Sequence, residues 1–367
     1  MKIALVHDYI KEYGGAERVL ETLHEIYPDA PVFTTVYLPE FLGPHRERFE
    51  KWNIKTSFLQ FLPFVNKLIS LIRLVAPFVF NTFDFSKYDV VIVSATGAYS
   101  PNNINKKGAI QICYSHTPPR YLYGFATARE WKNNLFFRIV GELANHFLRL
   151  ADYKSSENVD HFIANSKNIS GRIKKFYKKD STVIYPPVEI NSAIKNSSKS
   201  KKDYFLAGGR LARPKHLDLI VETFSKLNLP LKIFGRGFAG YELELKQKAK
   251  SKIEFLGEVS DEEKLELMRK AKAFVFASED EDFGITPVEA MAMGTPVIAY
   301  RSGGVLESVV ENKTGLFFDE LTVKSLGDAM KRLSKAKITS EACQKQAQKF
   351  SKERFKKEIT EFVKKYV

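Results

Sequence analysis

The chain of 367 residues, 44% hydrophobic and 27% charged, has room for two domains of ordinary size and the composition of a soluble globular protein. Its two cysteines, Cys113 and Cys343, lie far apart without metal-type spacing, which argues against a disulfide framework or structural zinc and fits a reducing, cytoplasmic setting. The formal net charge of +14 comes with no nucleic-acid module signature and no aromatics interleaved for base stacking, so nucleic acid is not an expected partner.

Residues 3–7, IALVH, form an apolar run too short for a signal-peptide core and predict a buried first strand. Gly14-Gly15 follows, then an amphipathic helix over 16–26. Further strands are predicted at 32–37, 90–94, 110–114, 162–165 and 183–185. Their apolar runs are continuous rather than alternating, which suits parallel strands covered on both faces. Residues 58–80, FLQFLPFVNKLISLIRLVAPFVF, break the alternation, with only Lys67 and Arg73 charged. The length allows a transmembrane span, but two cations, Asn66 and two prolines argue against it. An amphipathic helix lying at a membrane interface, with Lys67 and Arg73 snorkelling to headgroups, is one alternative. A pair of helices partly covering the N-terminal domain is the other.

The polar stretch 186–202, PPVEINSAIKNSSKSKK, reads as an interdomain linker. A second alternating set follows, with strands at 204–208, 231–234, 253–256, 273–277 and 296–299 and helices at 216–227 and 261–271. A last helix is predicted near 345–366. The predicted organisation is a Rossmann-like domain at 1–185, the linker, a second such domain at 203–345, and a terminal helix at 346–367. Two basic clusters stand out, with ten Lys/Arg against two Asp/Glu in 167–202 and twelve against four in 331–367. A solvated lysine-rich face and attraction to an anionic membrane both account for them.

The most informative stretch is 279–299, EDEDFGITPVEAMAMGTPVIA. It joins a strand, a loop, a helix and a strand, and the loop sits at the carboxyl end of a buried strand, where ligands bind in open parallel sheets. Pro287 suits a first helical turn. The amides of Gly284, Ile285 and Thr286 would then face whatever occupies the loop, and a helix N-terminus favours phosphate. Glu281 and Glu289 can accept hydrogen bonds from sugar hydroxyls. A phosphate carrying sugars on both sides, as in a nucleotide-sugar, fits this combination.

With GGRLARPKHLDLIVETF (Gly208, Gly209, Arg210, Lys215), the early loop Gly14-Gly15-Ala16-Glu17, His116 in YSHTPPRYLY, and FLGEVSDEEKLELMRKAKAFVFAS, the chain resembles the retaining GT-B glycosyltransferases of family 4 over nearly its whole length. The resemblance implies an α/β GT-B fold: two Rossmann-like domains facing each other across a cleft, with the last helix crossing back to the first domain. It implies that Glu281 contacts the donor sugar, that Glu289 holds the ribose, and that Arg210 and Lys215 clamp the leaving diphosphate. Phe283 to Thr286, with Gly209, Gly303 and Gly304, would line the donor, and Gly14-Gly15 would approach its phosphate. His116 would lie near the reacting sugar, often through its backbone carbonyl, with Arg120 and Tyr121 meeting the acceptor. No cofactor and no metal are expected, since the nucleotide-sugar is a substrate and the cations already supply the charge. The opening HDYIKEYGGAERVLE and HTPPRYLY look most like mannosyltransferases that use GDP-mannose in surface polysaccharide assembly, on a glycan or lipid-linked acceptor, at the inner face of the membrane.

Plainer explanations stand beside each residue. Arg210 and Lys215 on spacing alone are an exposed pair, His116 a packed loop residue, and Gly14-Gly15 a strand-to-helix turn. Glu289 near a helix start has a dipole role worth about 0.3–1 kcal/mol. The Asp-x-Asp pattern within Glu279–Asp282 is one that metal-dependent transferases use. At the level of function, a nucleotide-sugar epimerase of the same architecture and a non-catalytic nucleotide- or nucleic-acid-binding protein remain as alternatives.

Overall fold

The computed structural model describes residues 1–127, 135–190, 203–238 and 240–367, without the side chains of 135–138. The chain divides into two compact units, one built from Met1–Phe125, Trp131–Pro187 and Glu353–Val367, the other chiefly from Val188–Lys352.

In the first unit the elements run β1 (Ile3–His7), α1 (Gly15–Ile26), β2 (Val32–Thr34), β3 (Ile54–Thr56), α2 (Val65–Ile72), α3 (Ala76–Phe80), β4 (Val90–Ala95), β5 (Ile110–Ser115), α4 (Leu135–Glu157), β6 (His161–Ala164), α5 (Lys167–Tyr177) and β7 (Ser181–Val183). All seven strands pair in parallel, in the order β3-β2-β1-β4-β5-β6-β7. The continuous apolar runs are explained by burial on both faces: every residue of β1 and β4 is buried. α1 starts where Glu17 accepts the Gly14 N–H at 2.9 Å, and α5 where Ser166 Oγ accepts the Ile169 N–H at 3.1 Å.

The second unit runs β8 (Tyr204–Gly208), α6 (Leu217–Leu227), β9 (Leu231–Phe234), α7 (Tyr241–Lys248), β10 (Ile253–Gly257), α8 (Asp261–Lys270), β11 (Ala271–Phe276), α9 (Ile285–Ala292), β12 (Val297–Tyr300), α10 (Val305–Ser308), β13 (Gly315–Phe318), α11 (Val323–Leu333) and α12 (Ser340–Ala347). Its six strands are again parallel, in the order β10-β9-β8-β11-β12-β13. Each sheet therefore reverses its strand order once, at β1/β4 and at β8/β11, and such reversals open a crevice at the strands' carboxyl ends.

The last helix, α13 (Lys352–Tyr366), belongs to the first unit. Its Phe355, Ile359, Phe362 and Val363 are buried in one cluster with Leu5, Ile92 and Tyr114. At about 1.5–3 kcal/mol for each large side chain, this burial is ample to hold the helix in place. Arg354 adds a hydrogen bond from Nη2 to the Tyr185 carbonyl at 2.8 Å.

Two expectations change, one of two alternatives is met, and one expectation falls largely outside the described residues. The predicted helix at 345–366 is two helices, because Ser351 is extended (φ −63, ψ 155) and bridges Val188. The predicted strand at 32–37 ends at Thr34, leaving Tyr37 in an isolated bridge with Ile10. Residues 58–80 form the pair of helices given as the second alternative, with Val65, Ile72, Val79 and Phe80 buried in one cluster with Val6 and Val93, and no single interfacial helix. A 3₁₀ turn at Phe58–Phe61 precedes α2 and α3, and no described helix is long and apolar enough to cross a membrane. Finally, 191–202 of the expected linker lie outside the described residues, while Val188, read as part of it, is buried.

Candidate active site

The second unit gathers most of the expected donor residues at its β8/β11 reversal. Gly209 follows β8 with φ +116, a conformation that favours glycine, and a Cβ there would come within 4.0 Å of Thr286 Oγ1. The β8 loop and the start of α9 are thus neighbours. Arg210 is exposed, with its guanidinium 5.7 Å from the Phe238 ring centre. A 3₁₀ turn at Arg213–Lys215 carries Lys215 back over the motif, where its ammonium pairs with Glu281 and lies 5.3 Å from the Phe276 ring. Ser278 Oγ donates to the same Glu281 oxygen at 2.6 Å. The spacing-only view of Lys215 as a solvated surface cation is therefore replaced by a half-buried ion pair.

The motif backbone is fixed by close approach. The Gly304 N–H donates to the Glu281 carbonyl at 2.7 Å, and the Glu279 N–H to the Pro214 carbonyl at 3.0 Å. A Cβ on Gly303 would fall 2.3 Å from the Glu281 oxygen, and one on Gly304 2.4 Å from the Asp282 oxygen. Both glycines are required here by space, which places the short helix α10, with Glu307 on it, against the motif. Gly284, with φ +87, caps α9; Ile285 and Thr286 are its first two residues and Pro287 lies in its first turn, as expected. Phe283 is buried against Phe350, ring centres 5.3 Å apart, so its side chain serves the core.

Glu289 is almost fully buried, and Lys264 of α8, itself buried, donates to it at 2.8 Å and to Asp261 at 3.0 Å. Sequence reasoning missed Lys264, because its place four residues after the capping Ser260 reads as the solvent face of a charged helix. Within the Asp-x-Asp stretch, Glu279 faces His216 at 3.3 Å, while Glu281 faces Lys215 and Ser278. No group of three His, Cys, Asp or Glu able to hold a metal occurs among the described residues.

In the first unit Gly14 and Gly15 follow β1, one of the two strands at its reversal, and His116, Arg120 and Tyr121 follow β5. Gly14 is the N-cap of α1 and Gly15 its first residue. His116 follows β5; its Nε2 lies 3.0 Å from Ser94 Oγ, and its backbone carbonyl accepts from Asn165 Nδ2 at 2.9 Å. Burial, and after it the neighbouring His7, push His116 down to a pKa of about 3, so the ring is neutral at physiological pH. Next to it Asp8 accepts the backbone N–H groups of Thr96, Ala98 and Tyr99, each at 3.2 Å, and burial raises its pKa. The Tyr121 ring carries the Arg73 guanidinium at 4.6 Å, and Arg149 of α4 holds the next carbonyl, that of Leu122, at 3.0 Å. His7 and Ser94 carried no signal in the sequence, since both sit inside apolar strand runs.

Two family models match adjoining parts of the chain: Glycosyltransferase Family 4 over residues 13–192 and Glycosyl transferases group 1 over residues 188–350. Alpha-1,3/1,6-mannosyltransferase ALG2 of Dictyostelium discoideum is 28% identical over 334 residues, covering 77% of each chain. The O-antigen chain mannosyltransferase RfbU of Salmonella typhimurium is 36% identical over 156 residues, 39% of this chain and 43% of its own length. Among solved structures, HepE of Anabaena in complex with UDP-glucose superposes with a TM-score of 0.71 at 18% identity over 100% of both chains, a likeness of fold alone. Two parallel α/β units of Rossmann order, a terminal helix returned to the first, and matches running from residue 13 to residue 350 lead to one conclusion: the chain belongs to glycosyltransferase family 4 and has the GT-B fold.

Proposed function

We propose that this glycosyltransferase moves mannose from GDP-mannose to a hydroxyl of a glycan or lipid-linked acceptor, with retention of configuration and without a metal. The observation that carries the proposal is the Lys215–Glu281 pair beside the first turn of α9 and the Gly303-Gly304 contact. It supports the reading by putting a cation, a carboxylate and the first amides of a helix on one loop system. The sugar identity rests on similarity to the mannosyltransferases named above.

In this proposal Lys215 leaves Glu281 for the donor diphosphate, and the freed carboxylate accepts from the sugar hydroxyls. Arg210 adds a second cation to the leaving group, and the amides of Ile285 and Thr286 add fixed dipoles. Glu289, locked in one rotamer by Lys264, accepts from the ribose. The bond from the sugar's anomeric carbon to the diphosphate breaks, and the bond to the acceptor oxygen forms on the same face. The acceptor proton passes to the departing diphosphate oxygen. The protein supplies position and charge rather than a nucleophile, in keeping with two cysteines that are both buried.

For the acceptor side we propose docking on an anionic membrane. The first unit exposes Phe61 (85%), Phe64 (75%) and Phe78 (71%), and α4, packed beside α3, exposes Leu143, Phe147 and Leu150 as a stripe at helical spacing. Lys67 is exposed among them, and the chain's charge of +14 complements acidic headgroups. Flotation with phosphatidylglycerol vesicles should carry the protein upward, and Phe61→Ser with Phe64→Ser should abolish this. Failure to float, or concentration-dependent dimerisation lost in the same variant, overturns it.

The activity is tested by incubating the protein with radiolabelled GDP-mannose, UDP-glucose and UDP-N-acetylglucosamine, with and without membrane lipid extract and EDTA. Transfer from GDP-mannose only with extract, unaffected by EDTA and yielding the donor's anomeric configuration, is expected. Conversion of the donor without extract would establish an epimerase instead. Calorimetry that finds no affinity for any nucleotide or nucleotide-sugar would overturn every enzymatic reading.

A further inference from the structure

A chain of buried polar groups runs behind His116, and its direction is decided at the far end. Glu17 Oε2 accepts the Gly14 N–H at 2.9 Å, and Glu17 Oε1 lies 3.5 Å from His7 Nε2. His7 Nδ1 is 3.1 Å from Ser94 Oγ, and Ser94 Oγ is 3.0 Å from His116 Nε2. His7 and Ser94 are wholly buried, with Glu17 and His116 nearly so. The His7 Nε2 atom has no hydrogen-bond partner, and the Glu17 carboxylate lies within ion-pair distance of it.

Two directions are possible if each ring carries a single proton, and they differ in what His7 shows to Glu17. If His7 carries its proton on Nδ1, its Nε2 lone pair faces a buried anion, which is repulsive at low effective dielectric. If the proton is on Nε2, an N–H faces the anion. In that second arrangement His7 Nδ1 is an acceptor and takes the single Ser94 proton. Ser94 Oγ can then only accept from His116, so His116 carries its proton on Nε2. His116 Nδ1 is left as a lone pair, and it makes no hydrogen bond among the described residues.

We propose that Glu17, His7 and Ser94 are positioning residues that hold His116 in the Nε2–H tautomer, presenting Nδ1 as a hydrogen-bond acceptor to a hydroxyl of the substrate sugar. The substrate half of this inference rests on the activity proposed above; the tautomer half does not. Glu17 uses its other oxygen on Gly14, so the glycine loop and the polarity of His116 share one carboxylate. This ties the start of α1 to a side chain two strands away.

Two measurements test it. In the full-length protein labelled with ¹⁵N-histidine, long-range proton–nitrogen correlation at neutral pH should show His116 with a protonated Nε2 and a bare Nδ1. The resonance is assigned by its loss in His116→Asn. An Nδ1–H or doubly protonated His116 overturns the proposal, whatever the protein's activity. In the transfer assay, Ser94→Ala should lower kcat at least tenfold with little change in donor KM. His116→Asn, which keeps an amide oxygen near the Nδ1 position, should retain more activity than His116→Ala. Adding Ser94→Ala to His116→Asn should then cost nothing more, because Ser94 acts only through the ring. Additive losses in the double variant would make Ser94 a packing residue and refute the relay. A correct tautomer in a protein that transfers no sugar would leave the relay standing and remove the proposed activity.

Discussion

Replacing Lys264 by methionine tests whether Glu289 is held by a buried charge or by packing alone. Lys264 Nζ lies 2.8 Å from Glu289 Oε1 and 3.0 Å from Asp261 Oδ1, with side chains 10%, 5% and 28% exposed. Lys264→Met keeps the apolar stem but leaves the Glu289 carboxylate buried without its cation, a loss of about 3–5 kcal/mol. Glu289→Gln leaves Lys264 its more exposed partner Asp261, so the loss should be about 1–2 kcal/mol. The double variant removes both buried charges and should cost scarcely more than Glu289→Gln, giving a coupling close to the whole Lys264→Met loss, about 3–5 kcal/mol, between the sites. Urea unfolding followed by far-UV circular dichroism measures this. Trp52 packs against the first unit's core, so in a Trp131→Phe background the remaining fluorescence reports that unit and should not shift. A Lys264→Met loss below about 1 kcal/mol, or additive single losses, would refute the argument.

Gly304→Ala would press a Cβ to 2.4 Å from the Asp282 carbonyl oxygen and 2.5 Å from the Phe283 Cα, both backbone atoms that cannot swing aside. The expected cost is about 1–3 kcal/mol, with a larger relative fall in kcat/KM for the donor as Glu281 is displaced; unchanged kinetics would count against the loop's role. Phe355→Ala empties a wholly buried position under α13 and should cost about 3–5 kcal/mol. That loss should appear in the tryptophan-detected transition of the first unit. Asp152 is buried and accepts from Ser100, Tyr123 and Tyr177, yet desolvation outweighs these bonds and raises its pKa from 3.8 to about 6. A carboxyl more basic in the folded state binds extra protons between those values, so its contribution is present at low pH and fades as pH rises from about 4 to about 6. Stability relative to Asp152→Asn should therefore fall by about 3 kcal/mol across that window. A flat difference would show that Asp152 titrates normally.

The central strands of both sheets were legible in the sequence because burial on two faces demands unbroken apolar runs, as in residues 3–7 and 90–94. The edge strands β3 and β13 were not: Ile54–Thr56 is only partly buried, and Gly315–Phe318 begins on a glycine. Helix α4 escaped notice too, since a stripe of exposed Leu143, Phe147 and Leu150 beside a buried Leu148 leaves it apolar on more than one side. Local chemistry also named the loop 279–287, where turn residues, a proline in the first helical turn and paired acids sit within a few positions of one another.

What the sequence determined by itself was therefore local or periodic: two parallel α/β units, the loops after their strands, and the residue types those loops carry. Tertiary structure alone decided the partners, because each pairing spans a long separation along the chain. Lys215 meets Glu281, Lys264 meets Glu289, and His7 and His116 meet through Ser94 only once parallel strands bring their ends side by side. The break at Ser351 was decided in the same way, since a helix-forming stretch gives up its regularity where its backbone is claimed by Val188, and that contact exists only in the folded chain.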